Sequence, residues 1–265
     1  CFSGPAGTGD LGSVPERPYS MRAAVIDIGS SHVQLLIGES DGDHIRILES
    51  LKNIVPVGVH AFLRGRISQE IINQTIDLLN RYRQLLKEYD VQEVKVVATT
   101  AVREARNKDI FLDTVLLKTG FHVEILNVGD VVYYIDAFLS HKLSKKYPIH
   151  EKNLFIAELG SGSLDISVLE KGFALMSIGF PVGTLRLKQF KSRIDASLEE
   201  TNEALQEYIE NQILYIKESI PKMKIDDVIL IDETYSRYLH KILPNRKRES
   251  DFFQFSQVEA EELLK

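Results

Sequence analysis

Two short stretches carry the same chemistry at separate places in the chain. Asp27-Ile28-Gly29-Ser30-Ser31 and Glu158-Leu159-Gly160-Ser161-Gly162-Ser163 each set a carboxylate near the end of an apolar run, followed by glycine and hydroxyl residues. A strand that ends this way and reverses sharply aims successive backbone N–H groups at one point, an arrangement that holds anions. Glycine lets the backbone come close to ligand oxygens. The hydroxyls of Ser30, Ser31, Ser161 and Ser163 add donors. Two such turns facing each other across a cleft would clamp a phosphoryl group. Asp27 and Glu158 would then hold a divalent cation, directly or through water, because Mg2+ prefers oxygen ligands and keeps several waters. Either stretch alone reads equally well as a plain hairpin turn, so the repetition carries the argument.

A third stretch, ATTAVREARN at 98–107, ends a buried strand in Thr99 and Thr100 and starts a helix at once. Either threonine can cap that helix, whose N-terminus attracts anions. Arg103 near its first turn can grip a phosphate with two N–H groups, and Glu104 is placed to pair with it. Taken alone, Arg103 is also an ordinary solvated helix residue. His32, beside the first turn, is a weaker donor candidate. The seven histidines show no metal-ligand spacing.

The elements that would position these residues repeat as well. RAAVIDI (22–28), VQLLIGE (33–39) and HIRILES (44–50) read as an antiparallel meander, with a turn at 40–43. Ser68 caps a long helix to about Tyr89, with Ile71, Ile72, Thr75, Leu78, Leu79, Tyr82, Leu85, Leu86 and Tyr89 at helical period. Strand 93–99, helix 101–118, strand 121–126 and helix 130–145 complete the first half. The second half runs through strands 153–159, 164–170 and 172–178, helix 198–219, strand 226–232 and helix 234–243. It ends without a counterpart of the fifth strand. An internal duplication of this kind is a strong indicator of fold. It predicts an actin-like ATPase, ribonuclease H-like α/β fold, two βββαβαβα halves (21–147 and 148–265) about a cleft, the second incomplete.

Composition narrows the class. The chain has 265 residues, 44% hydrophobic and 26% charged, with a formal net charge of −6. That balance argues against a general DNA-binding or anionic-membrane surface. Cys1 is the one cysteine, so no internal disulfide forms, and a reducing, cytoplasmic setting is expected. No run reaches the roughly 18 apolar residues of a membrane span. Residues 1–20 are rich in Gly, Pro and Ser and read as a disordered leader before Met21. Arg246-Lys247-Arg248 reads as a solvated loop. A homodimer is left open.

AVIDIGSSHVQLLIGE, ATTAVREARN, LFIAELGSGSLDIS and FPVGTLRL together resemble the exopolyphosphatase/guanosine pentaphosphate phosphatase (Ppx/GppA) family, in its order and spacing. The resemblance implies hydrolysis of a terminal phosphoryl group from polyphosphate or a pppGpp-type nucleotide, with Mg2+ and a water activated by a glutamate. It places Arg103 at the reaction centre and adds Asp165 to Asp27 and Glu158 as a metal ligand. It assigns phosphate binding to Gly29, Ser30, Ser31, Arg103, Gly160, Ser161, Gly162 and Ser163. The chain also departs from the family pattern. Where the family has Ser-Gly followed by glutamates, this chain reads Asn127-Val128-Gly129-Asp130-Val131-Val132, leaving Asp130 as a shortened base. In the second turn Ser161 and Leu164 replace a glycine and a threonine. A family Gly-Gly-Thr turn becomes Asp232-Glu233-Thr234. Loss of a general base costs about 10²–10⁴ in rate. The expectation is therefore a weak phosphohydrolase. The alternatives are a phosphate- or nucleotide-binding regulatory module without turnover, and a kinase of the same superfold.

Overall fold

The computed structural model describes residues 21–41, 44–143, 148–194 and 197–231. The expected leader, part of the 40–43 turn, the Asp232-Glu233-Thr234 turn, helix 234–243 and the basic run 246–248 lie outside the described residues.

Among the described residues, nine strands form two sheets. The first has β1 (Met21–Ile28), β2 (His32–Asp41), β3 (His44–Ile54), β4 (Glu93–Ala98) and β5 (Val123–Ile125) in the order β3-β2-β1-β4-β5. The second has β6 (Asn153–Leu159), β7 (Leu164–Glu170), β8 (Phe173–Phe180) and β9 (Asp227–Ile231) in the order β8-β7-β6-β9. The first three strands of each sheet pair antiparallel, and the fourth joins the central strand in parallel. The duplication extends to an irregularity. The β2–β3 ladder slips at Ile37/Gly38 and the β7–β8 ladder slips at Val168/Leu169, at corresponding places.

Alternation along the strands decides which faces are covered. Ala24, Ile26 and Ile28 of β1, with Val33, Leu35 and Ile37 of β2, are buried in one cluster with Ile71, Ile72, Leu78, Leu79 and Leu86 of α2 (Gln69–Glu88). Ser68 caps α2 as expected, accepting from the Ile71 N–H. The second sheet is covered on both faces. Leu154 and Ile156 pack with Ile135 of α5 (Val128–Leu143), while Ala157, Ile166 and Phe180 pack with Leu187, Tyr208 and Ile216. These last three come from α6 (Thr184–Arg193) and α7 (Leu198–Ser219). Helix α5 also reaches the first sheet, where Tyr134 meets Lys95 of β4 at 2.7 Å. No helix among the described residues is long and apolar enough to cross a membrane.

Three elements differ from expectation. Helix 101–118 is two helices, α3 (Thr100–Glu104) and α4 (Lys108–Thr119). Ala105 is extended between them, the Arg106 N–H donates to Gly65 O, and the Asn107 side chain both accepts from and donates to Ile67. Helix α1 (Val57–Arg64) and helix α6 each occupy a stretch read as connection. They are counterparts: Val55-Pro56-Val57-Gly58 runs into the first turn of one, and Phe180-Pro181-Val182-Gly183 leads to the start of the other.

Candidate phosphate site

The two turns are built alike. Gly29 N donates to His32 O at 2.9 Å, and Gly160 N donates to Ser163 O at 2.9 Å. Each turn is also tied to a short helix. Gly58 N, opening α1, donates to Ser30 O at 2.7 Å; Leu185 N, opening α6, donates to Ser161 O at 2.9 Å. These bonds use the turn carbonyls. The N–H groups of Ser30, Ser31, Ser161 and Gly162 make no backbone–backbone bond among the described residues.

This attachment explains two glycines. A Cβ on Gly183 would overlap backbone atoms of Ser161 and Gly162. A Cβ on Gly58 would come within 2.6 Å of the Phe62 ring and 3.1 Å of Ser30 Cβ. Because each helix starts against its turn, neither has room for a capping side chain. Pro56 and Gly183 stand at the N-cap positions, with no side-chain cap.

The turns face each other as expected, but the gap expected between them is a contact. A Cβ on Gly162 would lie 2.5 Å from Ser30 Oγ and 3.1 Å from Thr100 Cβ. Thr100 Oγ1 and Ser163 Oγ are 3.0 Å apart, and Ser30, Thr100 and Ser163 are all buried. The seam must widen before it can take a phosphate.

Arg103 stands beside the seam. Its Nη1 donates to Leu126 O at 2.6 Å and its Nη2 to Thr100 Oγ1 at 3.2 Å. The capping role foreseen for Thr99 or Thr100 is absent, since α3 has no side-chain cap and Thr100 spends its hydroxyl on Ser163 and Arg103. Glu104 pairs with Arg186 of α6, not with Arg103. Arg186 also donates through Nε to Gly162 O at 2.5 Å and lays its guanidinium 4.0 Å over the Phe62 ring centroid. Arg186 is thus a site residue that the sequence did not single out for a role, and Thr100 serves the seam where a cap was expected. The repeated Pro-Val-Gly at the starts of α1 and α6 was the available signal.

The acids divide between the sheets. Asp27 lies on β1. Glu158 and Asp165 are direct cross-strand partners on β6 and β7, and alternation puts Glu158 on the Leu154–Ile156 face that α5 covers. Burial pushes the Asp165 carboxyl above the ordinary aspartate range; the Ser163 hydroxyl and Arg103 pull it back, while Glu104 adds to the rise. Its Oδ1 is buried with no hydrogen-bond donor. Among the described residues no three His, Cys, Asp or Glu side chains gather to enclose a metal. The donor set therefore suits a hard cation held by one or two carboxylates with water completing its shell, not a protein cage. Asp130, expected as the base, caps α5 reciprocally. Its Oδ2 accepts from Asn127 N at 2.8 Å, and Asn127 Oδ1 accepts from Asp130 N at 3.0 Å.

The sequence profile of the Ppx/GppA phosphatase family matches residues 36–264. The chain belongs to this family. Among Ppx/GppA relatives, it is 23% identical over 202 residues to a guanosine-5′-triphosphate,3′-diphosphate pyrophosphatase of Photobacterium profundum, covering 73% of this chain and 39% of that protein. It is 25% identical over 168 residues to exopolyphosphatase 1 of Mycobacterium leprae, covering 63% of this chain and 48% of that protein. The chain thus spans less than half the length of these two relatives. The solved exopolyphosphatase of Cytophaga hutchinsonii superposes with a TM-score of 0.74 at 20% identity, over 92% of this chain and 78% of that one. The Ppx/GppA fold is thereby the duplicated, actin-like α/β fold that the repeats predicted.

Proposed function

We propose that this chain forms a cytoplasmic Ppx/GppA-type phosphohydrolase unit that releases terminal phosphate from inorganic polyphosphate or a pppGpp-type nucleotide. The observation that carries the reading is the repeated turn. Two hairpins with the same closing bond, one from each sheet, meet at Ser30 and Gly162 beside the Thr100–Ser163 hydroxyl pair, with Arg103 and Arg186 alongside.

As the seam opens, the amides of Ser30, Ser31, Ser161 and Gly162 and the hydroxyls of Ser30, Thr100 and Ser163 become donors to the phosphoryl oxygens. Arg103 is held at the carbonyl end by Leu126 and presents its Nη2 edge, now on Thr100, to the same oxygens. Fixed donors of this kind stabilise transferring phosphoryl charge without reorganising. Mg2+ would be held by the cross-strand pair Glu158 and Asp165, or by Asp27 on the facing turn, one or two carboxylates at a time with water completing its shell, and would neutralise phosphate charge. Asp130 must leave its cap on Asn127 to take a proton from water, because a base has to come within hydrogen-bond reach of the proton it removes. Slow turnover follows.

The test is phosphate release from tripolyphosphate, long-chain polyphosphate and pppGpp with Mg2+, in the full chain and in Arg103→Ala and Asp27→Ala. Both substitutions should reduce release at least about 100-fold. Release that neither variant changes would place the chemistry elsewhere. Binding of these substrates with no release by any form would reduce the unit to a sensor.

A further inference from the structure

Arg186 has a second face. Besides holding Gly162, it lines a cavity of about 130 Å³ between α1, α6 and α7, whose wall includes Phe62, Gln189, Phe190, Arg193 and Tyr208. We propose that this cavity receives the base of a nucleotide whose phosphates occupy the two turns. The proposal rests on the phosphate reading above and selects a nucleotide, not a bare polyphosphate chain, as the ligand.

The wall chemistry makes the distinction. Phe190 and Tyr208 stack on each other with ring centroids 4.9 Å apart and planes 23° from parallel. The Arg186 guanidinium lies on Phe62. Sequence-tolerant recognition of bases rests on aromatic and guanidinium planes such as these. A polyphosphate chain has no flat face to offer them.

The wall is also pinned before any ligand arrives. The Tyr208 hydroxyl donates to Pro181 O at 3.0 Å, and Arg193 Nη2 donates to Leu63 O at 2.8 Å and Phe62 O at 3.1 Å. Gln189 Nε2 donates to Val59 O at 2.8 Å. That bond fixes the orientation of the amide, leaving Oε1 as the other end. Gln189 is 8% exposed, and Oε1 is buried without a hydrogen-bond donor. The amide is thus held in place as part of the wall, and the planes of Phe190, Tyr208 and Arg186 are what a base would meet.

The experiment is titration of GTP, ATP and tripolyphosphate into the full chain and into Phe190→Leu and Tyr208→Leu. These variants keep apolar bulk while removing one aromatic face, and neither residue belongs to the phosphate turns. The better of the two nucleotides should bind wild type more tightly than tripolyphosphate. Each variant should weaken it about 10-fold or more, with tripolyphosphate affinity unchanged. Unchanged tripolyphosphate binding also reports that the variants are folded. Equal affinity for nucleotide and tripolyphosphate in wild type, or an equal loss of both in the variants, would overturn the base pocket while leaving the phosphate site standing. Failure of all three ligands to bind wild type would remove both.

Discussion

Thr100 Oγ1 and Ser163 Oγ lie 3.0 Å apart, each buried, one from either half of the duplicated fold. In the function proposed above, an oxyanion would replace this bond. Thr100→Val and Ser163→Ala should each lower stability by about 1 kcal/mol, the usual net value of one hydrogen bond. The double variant should cost less than the sum, because the two residues share one interaction. Urea unfolding of the four proteins measures the coupling; strict additivity would mean that the two hydroxyls do not interact.

Gly183 and Gly162 should respond differently to alanine. At Gly183 the new carbon meets backbone of the second turn, which cannot swing aside. At Gly162 it meets side chains: the Ser30 hydroxyl, the Phe62 ring and Thr100. We expect Gly183→Ala to be destabilised by about 3 kcal/mol and to lose anion affinity, and Gly162→Ala to be the milder, near 1 kcal/mol, across the 1–3 kcal/mol span typical of overpacking. Thermal melts with and without tripolyphosphate test the order.

Arg186 ties the second turn to α3 and α1 through Gly162, Glu104 and Phe62. Arg186→Lys keeps the charge but loses the planar fork and the ring stacking. It should separate the halves, raising the rate of limited proteolysis between 143 and 153 and the radius of gyration in solution scattering. Wild-type values for both would show that the seam closes without this residue.

Asp165 makes stability depend on pH. Its folded carboxyl titrates above the ordinary value of 3.8, because burial disfavours the charge. Below that value both folded and unfolded chains are protonated and nothing is lost. As pH rises through it, the unfolded chain ionises first, and the folded state loses stability until the raised folded value is passed. Asp165→Asn avoids this loss. Without divalent cations it should be more stable than wild type at neutral pH, with the advantage shrinking on acidification. An advantage that grows toward acid would reverse the assignment.

Helix α7 begins with a reciprocal cap in which Ser197 Oγ accepts from Glu200 N and the Glu200 carboxylate accepts from Ser197 N. Ser197→Ala should cost about 1 kcal/mol. Phosphate binding should be untouched, so this variant also serves as a stability control for the seam substitutions.

Much of this architecture was legible because local chemistry and tertiary need agree. Strand β7 and helix α7 lie where the repeat of the first half put them, and the buried face of α2 follows the apolar period read from Ile71 onward. Helices α1 and α6 were hidden for a physical reason. Their starts press on the turns, so proline and glycine stand where a capping serine or aspartate would have announced them. The α3–α4 break was hidden as well, because it is imposed by contacts with Gly65 and Ile67, some forty residues earlier in the chain. Within the site, the turns and Arg103 were readable from residue type. The part played by Arg186 was not, since Glu104 and Gly162 reach it only through the fold. Asp130 kept the residue type of a base, but its position three residues after Asn127 makes it a cap.

The matching ladder slips at Ile37/Gly38 and Val168/Leu169 bear on solubility. Strands β3 and β8 are the outer strands of their sheets and leave Ile45, Ile47, Phe173 and Leu175 open to water. A straight apolar border of that kind would template growth of one molecule's sheet onto another's. An extra residue in the ladder twists the border and spoils its register. Removing either irregularity by deletion should therefore show first as aggregation during expression, before any change in ligand affinity.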